Sequence, residues 1–149
     1  MTNIRISRRL FLNCCTRMAA LCLLGRRGLA TAETAPSAPY LETLLRLFGA
    51  QSLTASTEIL IELPETVEDG AAAPLGVESR LNPTARLYLL ADQNPIPLLA
   101  DIRFAAGIAA KLRCRVKLAA DCHVVAVAES GGQYFIARKW VNVRQGGCG

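Results

Sequence analysis

Hydrophobic positions change their spacing along this chain, and the changes mark out its elements. From Tyr40 to Phe48 the stretch YLETLLRLF places Leu41, Leu44, Leu45 and Phe48 at helical intervals. Gly49 follows and can end that helix. The period then drops to two. In Thr57–Leu63, Thr57, Ile59, Ile61 and Leu63 alternate with Glu58 and Glu62, which predicts a half-buried strand closed by Pro64 and the acidic stretch 65–70. A second, weaker strand is expected over Ala71–Ser79 and a third over Ala85–Ala91, closed by the turn residues Asp92-Gln93-Asn94-Pro95. Ile96–Phe104 puts Ile96, Leu98, Ala100, Ile102 and Phe104 on one face, and Pro97 suits an edge or a strand start. Lys111–Leu118 alternates strictly, with Leu112, Cys114, Val116 and Leu118 inward and Lys111, Arg113, Arg115 and Lys117 outward. Cys122–Glu129 is small and apolar on both faces and is expected at the centre of a sheet. Ser130-Gly131-Gly132 reads as a hairpin turn into a last strand, Gln133–Val143.

Seven short strands with turn signals between them predict an all-β fold, a β-sandwich of immunoglobulin type with a short N-terminal helix packed on it. The last strand has two apolar faces. Phe135, Ala137, Val141 and Val143 form one, and Tyr134, Ile136 and Trp140 form the other. A sandwich strand needs only one, so the second is expected to be covered either by the N-terminal helix or by another subunit, which makes Tyr134, Ile136 and Trp140 a candidate partner interface.

Charge changes the picture at the N-terminus. The formal net charge is +5, but residues 1–32 hold six arginines (Arg5, Arg8, Arg9, Arg17, Arg26, Arg27) and no acid. The rest of the chain holds eleven Lys/Arg against twelve Asp/Glu, so the main support for nucleic-acid binding disappears. Ser7-Arg8-Arg9-Leu10-Phe11-Leu12 resembles the twin-arginine export motif. An apolar run from Cys14 to Leu24 follows, too short for a permanent membrane anchor, and Ala30-Thr31-Ala32 fits a cleavage site. The expected organisation is a twin-arginine signal peptide over 1–32, with Arg8 and Arg9 as its export motif, a sandwich domain over 33–143, and a C-terminal arm over 144–149. The expected destination is the periplasm, an oxidising space.

Cleavage there would leave Cys114, Cys122 and Cys148, an odd number that flags an unpaired thiol or an intermolecular bridge. The single histidine, His123, supports no zinc site, and no CxxC, CxxCH, G-x-S-x-G or P-loop is present, so no catalytic residue, metal or cofactor is assigned. His123 reads as an ordinary surface or turn-flanking residue, and Cys114 as a small core hydrophobe. A Cys114–Cys122 disulfide is not expected: a hairpin through Ala119–Asp121 would set residue 114 opposite about residue 126. The basic row Lys111/Arg113/Arg115/Lys117 reads as a solvated strand face, with docking of an anionic partner as the alternative. Cys148 stands apart. Gly146, Gly147 and Gly149 around it carry no side chains, and from Val143 the thiol has about 16–18 Å of extended reach. No base or helix N-terminus accompanies it, so the arm is suited to delivery rather than to catalysis.

The stretches ELPETVEDGA (62–71), LYLLADQNPIPLLADIRF (87–104), RVKLAADCHVVAVAE (115–129) and QGGCG (145–149) resemble the SoxY family. The resemblance implies a non-enzymatic carrier of thiosulfate oxidation that holds sulfur intermediates covalently on Cys148. It implies a heterodimer with a SoxZ-like subunit, a haem-containing SoxXA-like partner that loads thiosulfate oxidatively, a SoxB-like hydrolase that removes sulfate, and in some systems a sulfur dehydrogenase. The family arm usually ends in two glycines after the cysteine, and this one has Gly149 alone. The competing reading is a periplasmic immunoglobulin-like adhesion or chaperone module dimerised through Cys148. It leaves Gly146 and Gly147 without a reason.

Overall fold

A computed structural model describes residues 34–144. The element order is α1 (Ala38–Phe48), β1 (Leu53–Ala55), β2 (Ile59–Glu62), β3 (Thr66–Val67), a 3-10 turn (Gly70–Ala72), β4 (Ala73–Ser79), β5 (Arg86–Ala91), β6 (Leu98–Arg103), β7 (Ala110–Val116), β8 (Cys122–Ser130) and β9 (Gln133–Val143). The larger sheet runs β1-β9-β8-β5-β6, with β3 also paired to β9, and the smaller runs β2-β4-β7. The two sheets enclose one core, with Leu75, Val77 and Val116 from the small sheet meeting Leu87, Leu89, Val124, Ala126 and Val141 from the large one.

The helix starts where Ser37 accepts the Tyr40 N–H, with Pro39 in the first turn, and stops at Gly49, whose φ of 59° suits glycine. It packs on the outer face of the large sheet. Tyr40, Leu44, Leu47 and Phe48 meet Tyr88, Leu90, Val125, Val127, Tyr134 and Ile136 there. Phe48 sets its ring edge-on to Tyr88 at 5.0 Å and to Tyr134 at 5.1 Å. The helical face therefore differs from the expected one. Leu41 and Leu45 are 49% and 68% exposed. Two stripes were available on this helix, and the one carrying Tyr40 and Leu47 is the one that packs on the sheet.

This packing decides the question of β9's second face at two of its three residues. Ile136 is 7% exposed and Tyr134 joins the same cluster, so α1 covers them and they are not an open partner surface. Trp140 lies further along the strand against the His123 ring, 4.9 Å away.

β8 is central, between β9 and β5, as its composition predicts. β6 is an edge strand, which accommodates Pro97. Its uniform apolar face is broken, because the β5–β6 register shifts between Leu89 and Leu90. Leu98 then packs with α1, Ala100 and Phe104 pack in the sandwich core, and Ile96 is left 78% exposed in the preceding turn. β2 is shorter than predicted, since Thr57 and Glu58 form a turn, and Ala71–Ala72 belong to the 3-10 turn rather than to β4. β1 and β3 escape the sequence reading altogether. They have three and two residues, too few to show a period.

β7 keeps its strict alternation. It pairs with β4, however, while β8 pairs with β5 and β9, so residues 117–121 cross between sheets and no β7–β8 hairpin exists. The two cysteines on these strands are unbridged, as expected, and they lie on different sheets rather than on the two arms of a hairpin.

Candidate functional site

Arg8, Arg9, Gly146, Gly147, Cys148 and Gly149 lie outside the described residues; the described chain approaches Cys148 in sequence along β9. The last residues of β9 are held on both sides. Asp121 accepts the Val143 N–H at 2.7 Å. The Glu65 carbonyl accepts the Asn142 backbone N–H at 2.9 Å and its side-chain amide at 3.1 Å. The Val67 carbonyl accepts the Arg144 N–H at 2.9 Å, and β3 pairs in parallel with Asn142 and Val143. Trp140 donates its indole N–H to the Asn142 side-chain oxygen at 3.1 Å. Arg144 reaches Glu68 at 3.3 Å.

Gly70 completes this clamp. Its carbonyl accepts the Leu118 N–H at 2.7 Å. A Cβ on Gly70 would meet the Leu118 carbonyl oxygen at 2.5 Å and Val143 Cγ1 at 2.7 Å, so only glycine lets the three segments close together. Satisfied backbone groups on both sides fix the end of β9 as far as Arg144. Sequence reasoning missed this clamp because it rests on backbone carbonyls and on the short strand β3, which the acidic composition of residues 65–70 hid.

The thiols of the body have a different setting. Cys122 is fully buried, and burial, with Asp92 and Asp121 adding to it, pushes its pKa up to about 12. Cys114 is half-buried on the edge strand β7, and burial raises it too. Both are held as thiols at neutral pH, which suits structural cysteines and not nucleophiles.

His123 is not the ordinary surface residue expected. Its side chain is 15% exposed and its Nδ1 lies 3.1 Å from Asp92 Oδ2, with the Asp92 side chain 5% exposed. Asp92 Oδ1 accepts the His123 backbone N–H at 2.8 Å, and the Asp92 carbonyl accepts both the N–H and the hydroxyl of Ser37. Asp92 thus ties the start of α1 to the start of β8. Asn94, also buried, donates to the Lys117 carbonyl and accepts the Ala119 N–H. The signal for both was present as polar residues inside the apolar ADQNPIP stretch. Their partners were not readable, because they lie up to 55 residues away.

The basic row along β7 and the residue after it, Lys117, is neutralised at one end only. Lys111 reaches Glu78 at 2.8 Å and Arg113 reaches Glu62 at 3.2 Å. Arg115 and Lys117 are exposed and have no acidic partner among the described residues.

Residues 44–148 match the model of a protein family described as "Sulfur oxidation protein SoxY". Among solved structures, the chain is similar to that of the sulfur carrier protein SoxY from Chlorobium limicola f thiosulfatophilum. That match has a TM-score of 0.64 and 24% sequence identity, covering 68% of this chain and 89% of that one. No curated protein sequence matches.

Proposed function

Because the chain belongs to the SoxY family of sulfur oxidation proteins, we propose that it is a sulfur carrier of thiosulfate oxidation, with Cys148 as the covalent attachment point. The observation that carries this reading is the contrast at the end of β9. A backbone clamped through Asn142, Val143 and Arg144 leads within five residues of Val143 to a cysteine set among glycines. A fixed root and a slim tip suit a thiol that must enter several partner sites in turn. Burial raises the pKa values of Cys114 and Cys122, which disfavours both as the attachment point.

The intermediates stay on Cys148 while separate enzymes act: a haem-containing SoxXA-like enzyme that joins thiosulfate to the thiol with loss of two electrons, a SoxB-like hydrolase that releases sulfate, and a sulfur dehydrogenase where the host has one. The chain itself is a carrier and not a catalyst. A SoxZ-like subunit is its partner, and residues 1–32 are a twin-arginine signal that directs it to the periplasm. The strand order β2-β4-β7 against β9-β8-β5-β6 supports the immunoglobulin-like reading of the sandwich.

Cys148→Ser in a reconstituted thiosulfate-oxidising system tests the proposal. Turnover is expected to vanish while the circular dichroism spectrum and thermal unfolding stay unchanged. Retained turnover would move the adhesion reading ahead.

A further inference from the structure

We infer that the open edge of β7 is a strand-addition site for an extended segment of a partner protein in which acidic and apolar residues alternate. The inference concerns a surface apart from the thiol chemistry and does not depend on the carrier reading. β7 ends the small sheet, paired with β4 on one side only. In an antiparallel strand the N–H and carbonyl of one residue point to the same side, and successive residues alternate. Pro74 stands opposite Arg115 and has no N–H to exchange with it. Arg80, the residue after β4, donates its N–H to the Glu58 carbonyl on the β2 side at 2.8 Å. Even-numbered residues of β4 therefore turn toward β2 and odd-numbered ones toward β7, where Ala73, Leu75, Val77 and Ser79 meet Val116, Cys114, Leu112 and Ala110. Leu118 keeps the same phase, since its N–H goes to the Gly70 carbonyl. The other residues of the strand, Lys111, Arg113 and Arg115, aim their backbone groups at the open edge, and Lys117 continues that row.

Both ends of this edge are closed. The Ala109 carbonyl accepts the Lys111 N–H at 2.9 Å, and the Lys117 carbonyl accepts the Asn94 side-chain amide at 2.8 Å. Between them Arg113 and Arg115 each present an N–H and a carbonyl with no partner among the described residues. Side chains directly opposite in an antiparallel pair stand about 4.5–5.5 Å apart on one face. A segment bonded to Arg113 and Arg115 thus sets its bonded residues beside two guanidiniums and its alternate residues beside Leu112 and Cys114. Those two pack on the sandwich core yet are only partly buried. Carboxylates suit the first row and apolar side chains the second. Glu78 already holds Lys111 and Glu62 holds Arg113, so the carboxylate opposite Arg115 contributes most. A second copy of this chain is the wrong occupant. Two β7 edges joined antiparallel pair odd-numbered residues with odd-numbered ones, so every register sets cation against cation. In the centred register Arg113 faces Arg113 and Lys111 faces Arg115. The row thereby guards the edge against self-association while leaving it open to a strand of opposite charge. In such strand addition the backbone bonds give affinity and the alternate side chains give specificity.

The test titrates the whole isotope-labelled chain with a synthetic peptide, acetyl-Glu-Val-Glu-Val-Glu-Val-Glu-amide, and follows the backbone amides by NMR. The largest downfield shifts are expected at the Arg113 and Arg115 N–H groups, whose exchange with solvent should also slow. The same peptide with lysine in place of glutamate should not bind. N-methylation of the glutamate nitrogens, which face β7 in the added strand, should abolish binding, whereas N-methylation of the valine nitrogens, which face away, should not. Arg115→Glu is expected to weaken the acidic peptide about tenfold, because an attraction becomes a repulsion. Absence of a saturable shift at Arg113 and Arg115 with about 2 mM peptide overturns the site. So does equal binding of the lysine peptide. Binding that survives glutamate N-methylation overturns it too, since that is attraction to the basic face without strand addition. A concentration-dependent dimer whose shifts centre on β7 makes the occupant a second copy and overturns the acidic partner. The peptide controls are read on the unsubstituted chain, so they decide the matter even where Arg115→Glu fails to fold. None of these readouts uses Cys148, whose role the turnover assay decides separately.

Discussion

Cys122 and Cys148 are 26 residues apart in sequence, one inside the β-sandwich and the other in a glycine-rich stretch that follows it in sequence. Cys122 opens β8, fully buried between two sheets, with its thiol pushed up to about 12 by burial and by Asp92 and Asp121. Cys148 follows a clamped strand end and has only glycine on either side. The same functional group is thus withheld at Cys122 and, in the proposed function, offered at Cys148. The difference lies in the surroundings, because a thiolate needs solvation or a cation and β8 provides neither. Changes to the body should therefore alter stability and leave sulfur loading alone, while changes to the tip should do the reverse.

The largest effect on the body is expected at Ile136. It is 7% exposed beneath α1, and Ile136→Asp would bury an unpaired charge there at about 3–5 kcal/mol. Denaturant unfolding should show the loss. A variant as stable as the wild type that only fails to bind a partner would mean that α1 does not cover this face. Next comes Gly70→Ala, expected to cost about 1–3 kcal/mol, because its Cβ would overlap the Leu118 carbonyl and Val143. Amide exchange at Val143 and Arg144 should accelerate most in this variant, and unchanged exchange there would contradict the clamp. Cys122→Ser buries a hydroxyl in a site with no exposure and should cost about 1–3 kcal/mol, whereas Cys114→Ser on the half-buried edge strand should cost less than about 1 kcal/mol. Equal costs would erase the distinction between a central and an edge cysteine.

The division between legible and illegible features follows the range of the interactions. Alternation exposed the seven longer strands because it records burial residue by residue, and β8's apolar run revealed its central place. Local pattern could not rank two stripes on an eleven-residue helix, so the face carrying Tyr40 and Leu47 was missed in favour of Leu41 and Leu45. It could not show that residues 117–121 cross between sheets, because a crossover and a hairpin use similar turn residues. A single register shift at Leu89/Leu90 was enough to break the predicted face of β6. At the site, the glycines and Cys148 were legible as a motif. The clamp was not, since Glu65, Val67 and Gly70 act through backbone carbonyls that any residue possesses. His123 was misread because its partner Asp92 lies 31 residues away on another strand end.

The central claim is that sulfur is carried on Cys148 and on no other thiol of the body. Trypsin separates the three cysteines: cleavage after Arg144 isolates Gln145–Gly149, while Cys114 and Cys122 fall in two other peptides. The direct measurement is peptide mass spectrometry, without reductant, of the protein after incubation with thiosulfate and a SoxXA-like oxidising enzyme. The account predicts a sulfur-containing adduct on the Gln145–Gly149 peptide, with the Cys114 and Cys122 peptides unmodified. An adduct on either of those peptides, or none on the peptide holding Cys148, would contradict it.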